Sequence, residues 1–114
     1  MQNRVNRILA HEYIITELMI RTLERDRKHV DVFKAKYVMD KLFEQAIRKA
    51  KDELLTIKNE MGKIGLRKQE EKKLDETVTI FTFVQRGVYE ELRYMNIALR
   101  NHTMRKIEQL LQLD

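Results

Sequence analysis

The sequence predicts an all-α protein, a single antiparallel helical bundle of three to four helices formed by residues 1–114. Three observations favour this class. Apolar residues recur at the spacing of one helix face through most of the chain. There are no prolines and three glycines, whereas turn-rich β architectures depend on both residue types. Charged residues make up 36% of the chain, which helices with one solvated face accommodate.

Two long helices are predicted in the first half of the chain. The first spans residues 3–28 with Asn3 as its N-cap, and the second spans residues 31–61 with Asp31 as its N-cap. Gly62 suits the position after a helix, where a positive φ ends it, and Gly65 follows closely enough to break the chain there. The second helix carries an apolar seam typical of a bundle, formed by Met39, Phe43, Ala46, Ala50, Leu54, Ile57 and Met61.

The second half predicts a third helix over residues 67–95 and a fourth from Asn96 to the C-terminus, or one bent helix in place of both. Six of the eight residues 77–84 are β-branched, so local propensity there favours a strand. The helical interpretation is preferred because a lone strand would leave both its edges unpaired. Gly87 would then lie inside a helix, at a cost of about 1 kcal/mol relative to Ala.

Residue content argues against several kinds of catalytic or metal site. The chain has neither cysteine nor serine, which removes thiolate chemistry and the commonest hydroxyl nucleophile. None of its histidines, His11, His29 and His102, lies three residues after a glutamate, as a di-iron bundle requires. We therefore predict a protein that is not an enzyme, with no catalytic residue, no metal and no cofactor.

The chain also lacks the patterns of export and membrane insertion. No continuous apolar stretch follows the N-terminal residues, and no apolar run approaches the roughly 18 residues that a membrane span needs. A cytoplasmic protein without a membrane partner is the expectation.

Two groups of residues are candidates for binding. The net charge of +5 is concentrated around the predicted turn between the second and third helices, where cations could bind a polyanion such as nucleic acid through its phosphates. Glu70 and Glu71 reduce the positive charge of that group. Charged turns of helical bundles are also usually solvated ends that bind nothing. The candidate polyanion-binding residues are Lys63, Arg67, Lys68, Lys72 and Lys73.

The second group is a candidate surface for a protein partner. Arg25, Arg27 and Lys28 lie in the first predicted turn, and Phe83 lies off the main apolar stripe of the third helix. An exposed Phe83 would mark an interface. The favoured hypothesis is a non-enzymatic helical module that binds another protein or itself, in an interaction or regulatory role. The alternative is a nucleic-acid-binding protein that uses the basic turns.

Two stretches of the chain add a family resemblance. The first is 23–28 (LERDRK) with 33–34 (FK), and the second is 81–84 (FTFV) with 87–91 (GVYEE), 96, 99–101 (LRN) and 107–110 (IEQL). Together they resemble the YhjD-like proteins, small helical proteins of spore-forming Gram-positive bacteria or their phages. That group has prolines at its turns, which this chain lacks. The resemblance implies no activity and carries no functional residue.

Overall fold

The fold combines three α-helices with a three-stranded antiparallel sheet, so the predicted all-α bundle is wrong. A computed structural model describes residues 4–112. The elements follow the order α1 (Arg7–Arg27), a 3₁₀ turn (Val30–Val32), α2 (Lys36–Ile64), β1 (Leu66–Lys73), β2 (Val78–Gln85), β3 (Val88–Met95) and α3 (Asn96–Leu110). The strands form a meander in the order β1-β2-β3.

The first two predicted helices are present with shifted ends. Asn6 caps α1, since its Oδ1 accepts a hydrogen bond from the Leu9 N–H at 3.1 Å, whereas the predicted cap Asn3 lies outside the described residues. Asp31 falls in the 3₁₀ turn, so α2 begins five residues later than predicted. Gly62 lies inside α2, and Gly65, at φ 69°, is the residue that ends it.

The predicted third helix is replaced by the meander. The strand propensity of residues 77–84 was the correct signal, because that stretch coincides with β2. Its two partner strands are not recognisable as strands from the sequence because both are rich in charged residues. The sequence of β1 is LRKQEEKK and that of β3 is VYEELRYM. Gly87 therefore lies in the hairpin turn between β2 and β3, where both Arg86 (φ 49°) and Gly87 (φ 84°) have the positive φ of a type I′ turn.

A bulge in β1 decides which of its side chains face the helices. Lys68 pairs with Phe83, but the next paired residue is Glu70, opposite Thr82, which leaves Gln69 as an extra residue. Glu71 is therefore opposite Phe81 and on the same face as Lys68. Without the extra residue, Glu71 would point to the other face of the sheet.

Helix α1 contributes to two apolar clusters. Near its N-terminal half, Tyr13 and Ile14 pack with Phe81 and Phe83 of β2, which are at most 1% exposed. The rings of Tyr13 and Phe83 meet edge to face at 6.0 Å. Near its C-terminal half, α1 packs with α2 and α3 in a second cluster formed by Met19, Ile20, Leu23, Ala46, Ile47, Ala50, Ile107 and Leu110.

Replacing each of the two glycines at the end of α2 with alanine should change the free energy of unfolding in opposite directions. Gly65→Ala should lower the free energy of unfolding by about 1–2 kcal/mol, because a side chain is disfavoured at positive φ. Its Cβ would also lie 3.1 Å from Arg86 Cγ. Gly62→Ala should raise the free energy of unfolding by about 0.5–1 kcal/mol, because Gly62 is helical and open space surrounds its Cβ position. Urea unfolding of both variants measures this, and effects of the same sign would contradict the assigned end of α2.

Candidate functional site

The five predicted polyanion-binding residues are dispersed by the fold. They lie on the end of α2 and along a strand, instead of on a turn between helices. Lys63 pairs with Glu60 at 3.1 Å. Arg67 and Lys72 lie opposite Val84 and Ile80 on the sheet face that points away from Phe81 and Phe83, whereas Lys68 and Lys73 lie on the helix-facing side. The predicted cluster is therefore not a single patch.

Lys68 instead belongs to an ion network that joins α1 to β1. We call Glu17, Arg21, Lys68 and Glu71 the α1–β1 ion network. The two terminal nitrogens of Arg21 donate to the two carboxylate oxygens of Glu71, each at 2.8 Å. Lys68 Nζ donates to Glu17 at 2.7 Å and to Glu71 at 3.2 Å. Every charge in the network has an opposite partner, which favours a structural role.

The pKa values in this network follow from its contacts. The Arg21 guanidinium, supported by Lys68, lowers the pKa of Glu71 to about 2. Burial alone would raise the pKa of Glu17, but hydrogen bonds from Lys68 and Tyr13 outweigh it, and the pKa is lowered. Burial and the Glu17 carboxylate raise the pKa of Tyr13. Both carboxylates therefore remain ionised well below neutral pH.

This network should make stability depend on acidic pH. A carboxyl group whose pKa is lower when folded stabilises the protein above its unfolded pKa, and that contribution is lost as pH falls. For Glu71 the loss runs from about 4.5 down to about 2. Glu71→Gln should flatten the pH dependence there and lower the free energy of unfolding at neutral pH by about 1 kcal/mol, since the pair is partly solvated. Glu70→Gln is the control, and an equal effect of both changes would contradict the network's role.

Two histidines from different helices meet beside the sheet. The rings of His11 (α1) and His102 (α3) lie 5.2 Å apart, edge to face, and His11 Nδ1 is 2.7 Å from the hydroxyl oxygen of Tyr94 (β3). Burial, and secondarily the neighbouring His102, lower the pKa of His11. Within residues 4–112 no group of three or more His, Asp or Glu side chains is placed to hold a metal ion. This pair therefore lacks the further protein ligands of a usual metal site.

The histidine pair should add a second pH dependence above the carboxylate range. Because the pKa of His11 is lowered from 6.5 in the folded state, the unfolded chain binds the proton first as pH falls. The free energy of unfolding should then decrease as pH drops below about 6.5. His11→Gln should remove part of this slope, whereas His29→Gln, an exposed residue of the α1–α2 connection, should leave it unchanged. Urea unfolding between neutral pH and pH 5 tests this, and parallel curves for wild type and His11→Gln would contradict it.

An exposed apolar surface lies where α1 ends and α2 begins. Val32 is 81% exposed, Val38 60% and Leu42 52%. Leu42 also lines a groove of about 280 Å³ whose walls are almost entirely apolar, and Val38 lies one turn before it on the same side of α2. We call these exposed residues and the groove the apolar end, and the groove is lined by Leu23, Met39, Leu42, Phe43, Ala46 and Leu111.

The residues predicted to form a partner surface lie in separate parts of the fold. Arg27 forms a two-point ion pair with Asp40, at 2.8 and 3.1 Å. Lys28 is exposed beside the apolar end, and Arg25 lines a separate cleft between α1 and α3. Phe83 is 0% exposed, so its assignment to a partner surface is wrong. Its position off the helical stripe reflects the period of a strand, on which it faces the core.

Sequence reasoning missed the exposed apolar residues Val32, Tyr37, Val38 and Leu42. A signal was available, because Val38 and Leu42 each precede a residue of the α2 seam, Met39 and Phe43. A stripe this broad exceeds what one neighbouring helix covers. The excess apolar width at the start of α2 was the sign of an uncovered surface.

The chain is thus a small α-plus-antiparallel-sheet protein with a charge-balanced helix–strand junction and an exposed apolar end. It belongs to the YhjD protein family, whose family model matches residues 1–114, so the resemblance carried by residues 23–34 and 81–110 is confirmed at the level of the family. No curated protein and no solved structure matches the chain. None of the helices within residues 4–112 is both long and apolar enough to cross a membrane.

Proposed function

We propose that this protein is a non-enzymatic interaction module whose apolar end binds a segment of another protein. The observation that supports the proposal is the exposure of Val38 and Leu42 at an apolar groove, one wall of which Leu42 forms. Isolated surface apolar residues are ordinary, but a contiguous exposed group next to a groove is typical of an interaction site.

The shape of the groove indicates the form of the partner segment. The groove lies among three helices, with walls from α1, α2 and the residue after α3, Leu111. Grooves between helices commonly accept an amphipathic helix, which inserts apolar side chains from one of its faces. We therefore propose that a short amphipathic helix occupies the groove, with Val38 contacting its flank.

Charge around the apolar end favours an acidic partner. The carboxylates of Asp40 and Glu44 are engaged by Arg27, at 2.8 and 3.7 Å. Among the described residues, the exposed cations Lys28, Lys34 and Lys36 form no ion pair within 4 Å, whereas the carboxylates left without one there are Asp26 and Asp31. This rim attracts acidic side chains, and it would repel the same rim of a second copy.

The setting of this function is part of the same proposal. A cytoplasmic location is supported by the absence of cysteine, which is common in reducing compartments. An origin in a spore-forming Gram-positive bacterium or one of its phages is supported by the two stretches that resemble the YhjD-like group. A regulatory role fits a module that binds a partner and does no chemistry of its own.

Site-specific photo-crosslinking in the source cells tests the proposal. A benzophenone amino acid replaces Leu42, which lines the groove and is 52% exposed, and in the control it replaces Tyr89, which is 62% exposed on β3. We expect a specific protein adduct from position 42 and none from position 89. The partner segment, once identified and synthesised, should bind at least about tenfold more weakly to Val38→Asp, which places a charge in the contact and repels an acidic partner.

Three results would contradict the proposal. Equal crosslinking from positions 42 and 89 would show that the apolar end has no preferred partner. An adduct that disappears on nuclease treatment would favour the nucleic-acid alternative, with its steep salt dependence. An adduct between two copies of the chain would replace the partner with self-association.

A further inference from the structure

A second concave site, distinct from the apolar end, lies between α1, the β1–β2 turn and α3. We name this space, of about 430 Å³, the α1–α3 cleft. Arg25 of α1, Lys73 at the end of β1 and Arg100 of α3 all line it. We infer that the cleft binds the phosphate group of a phosphorylated small molecule.

The cations of the cleft lack the compensation found elsewhere in the molecule. Among the described residues, Arg25, Lys73 and Arg100 have no carboxylate within 4 Å, although each charge of the α1–β1 ion network is matched. The cleft holds one carboxylate, Glu76 of the β1–β2 turn, so three positive charges face one negative charge. Such an excess in a concave site attracts an anion with more than one negative charge.

Polar groups on the floor of the cleft are already oriented. Thr79 Oγ1 donates to Asn96 Oδ1 at 2.6 Å, and Asn96 Nδ2 donates to the carbonyl oxygen of Asp75 at 3.1 Å. Thr79 is 7% exposed and Thr103 5%. Within the described part of the chain, the hydroxyl of Thr103 donates to no protein acceptor, which leaves it available to a ligand in the cleft.

This combination suits phosphate better than a carboxylate or a chloride ion. A guanidinium matches two oxygens of a phosphate or a carboxylate at once. The cleft has an excess of two positive charges, which favours the doubly charged phosphate over a singly charged carboxylate or chloride. The rest of the wall is partly apolar, from Leu18, Leu99 and Met104. The volume is within the roughly 300–1,000 Å³ of small-molecule sites, so the cleft accommodates a phosphate together with the body that carries it.

Calorimetric titration in phosphate-free and sulfate-free buffer tests the inference, with inorganic phosphate, AMP and an oligonucleotide without terminal phosphates as probes. We expect AMP to bind more tightly than inorganic phosphate, since it also fills the apolar part of the cleft. Arg100→Gln and Lys73→Gln should each weaken AMP binding by about tenfold or more, the loss expected for a charged hydrogen bond. Arg67→Gln, on the opposite face of the sheet, is the matched control.

The outcomes separate the possible sources of phosphate. No heat with either phosphate or AMP at millimolar concentration would overturn the inference, and so would equal weakening by Arg67→Gln. Tighter binding of the oligonucleotide than of AMP would replace the small molecule by a nucleic-acid backbone. Thermal unfolding of each variant without ligand establishes that the substitutions leave the fold intact.

Discussion

Helix α1 has buried side chains from Ala10 to Leu23 because two different layers pack against it. The sheet contacts its N-terminal half through Phe81 and Phe83, and the other two helices contact its C-terminal half. Ala46 and Ala50 of α2 are at most 4% exposed, and their small side chains allow a close approach to α1. Burying a large apolar side chain contributes about 1.5–3 kcal/mol. Neither layer has a closed core unless α1 lies between them.

The position of α1 also determines which charged side chains form ion pairs and which do not. Towards the sheet, Glu17 and Arg21 meet the helix-facing side chains of β1, and the charges cancel in the α1–β1 ion network. One turn further along the helix, Arg25 lines the α1–α3 cleft together with Lys73 and Arg100, and there the carboxylates do not match the cations in number. One helix therefore supports a neutral junction in its middle and a cationic cleft near its C-terminal end.

The helices could be predicted from the sequence, but the sheet could not. The apolar periodicity of α1 and α2 is strong, and Asn96 correctly marked the beginning of the last helix. In β1 and β3 one face is solvated and the other carries ion-paired residues such as Lys68 and Glu71, so neither strand shows a clean alternation of apolar and polar residues. Residues 77–84 have no apolar partner strand nearby in the sequence, but strand pairing requires only backbone groups, so the charged strands β1 and β3 pair with them.

Like the sheet, the candidate sites could not be predicted in full from the sequence. Arg25 and Lys73 were each singled out from the sequence, but in two separate groups almost 50 positions apart in the chain. Their convergence depends on the meander, which returns the end of β1 to the side of α1, and on Arg100 of α3. Local charge patterns identified individual cations. Only the tertiary fold could show which of them share a cleft.

The charged character of β1 has a further consequence for aggregation. β2 is an uncharged eight-residue strand rich in β-branched and aromatic residues, the composition from which amyloid-like steric zippers form. In the sheet it is the central strand, and six of the eight residues of its neighbour β1 are charged. An edge of this kind discourages the addition of strands from other molecules. The lysines and glutamates of β1 thus act as gatekeepers, which keep the most aggregation-prone segment of the chain away from its copies in other molecules.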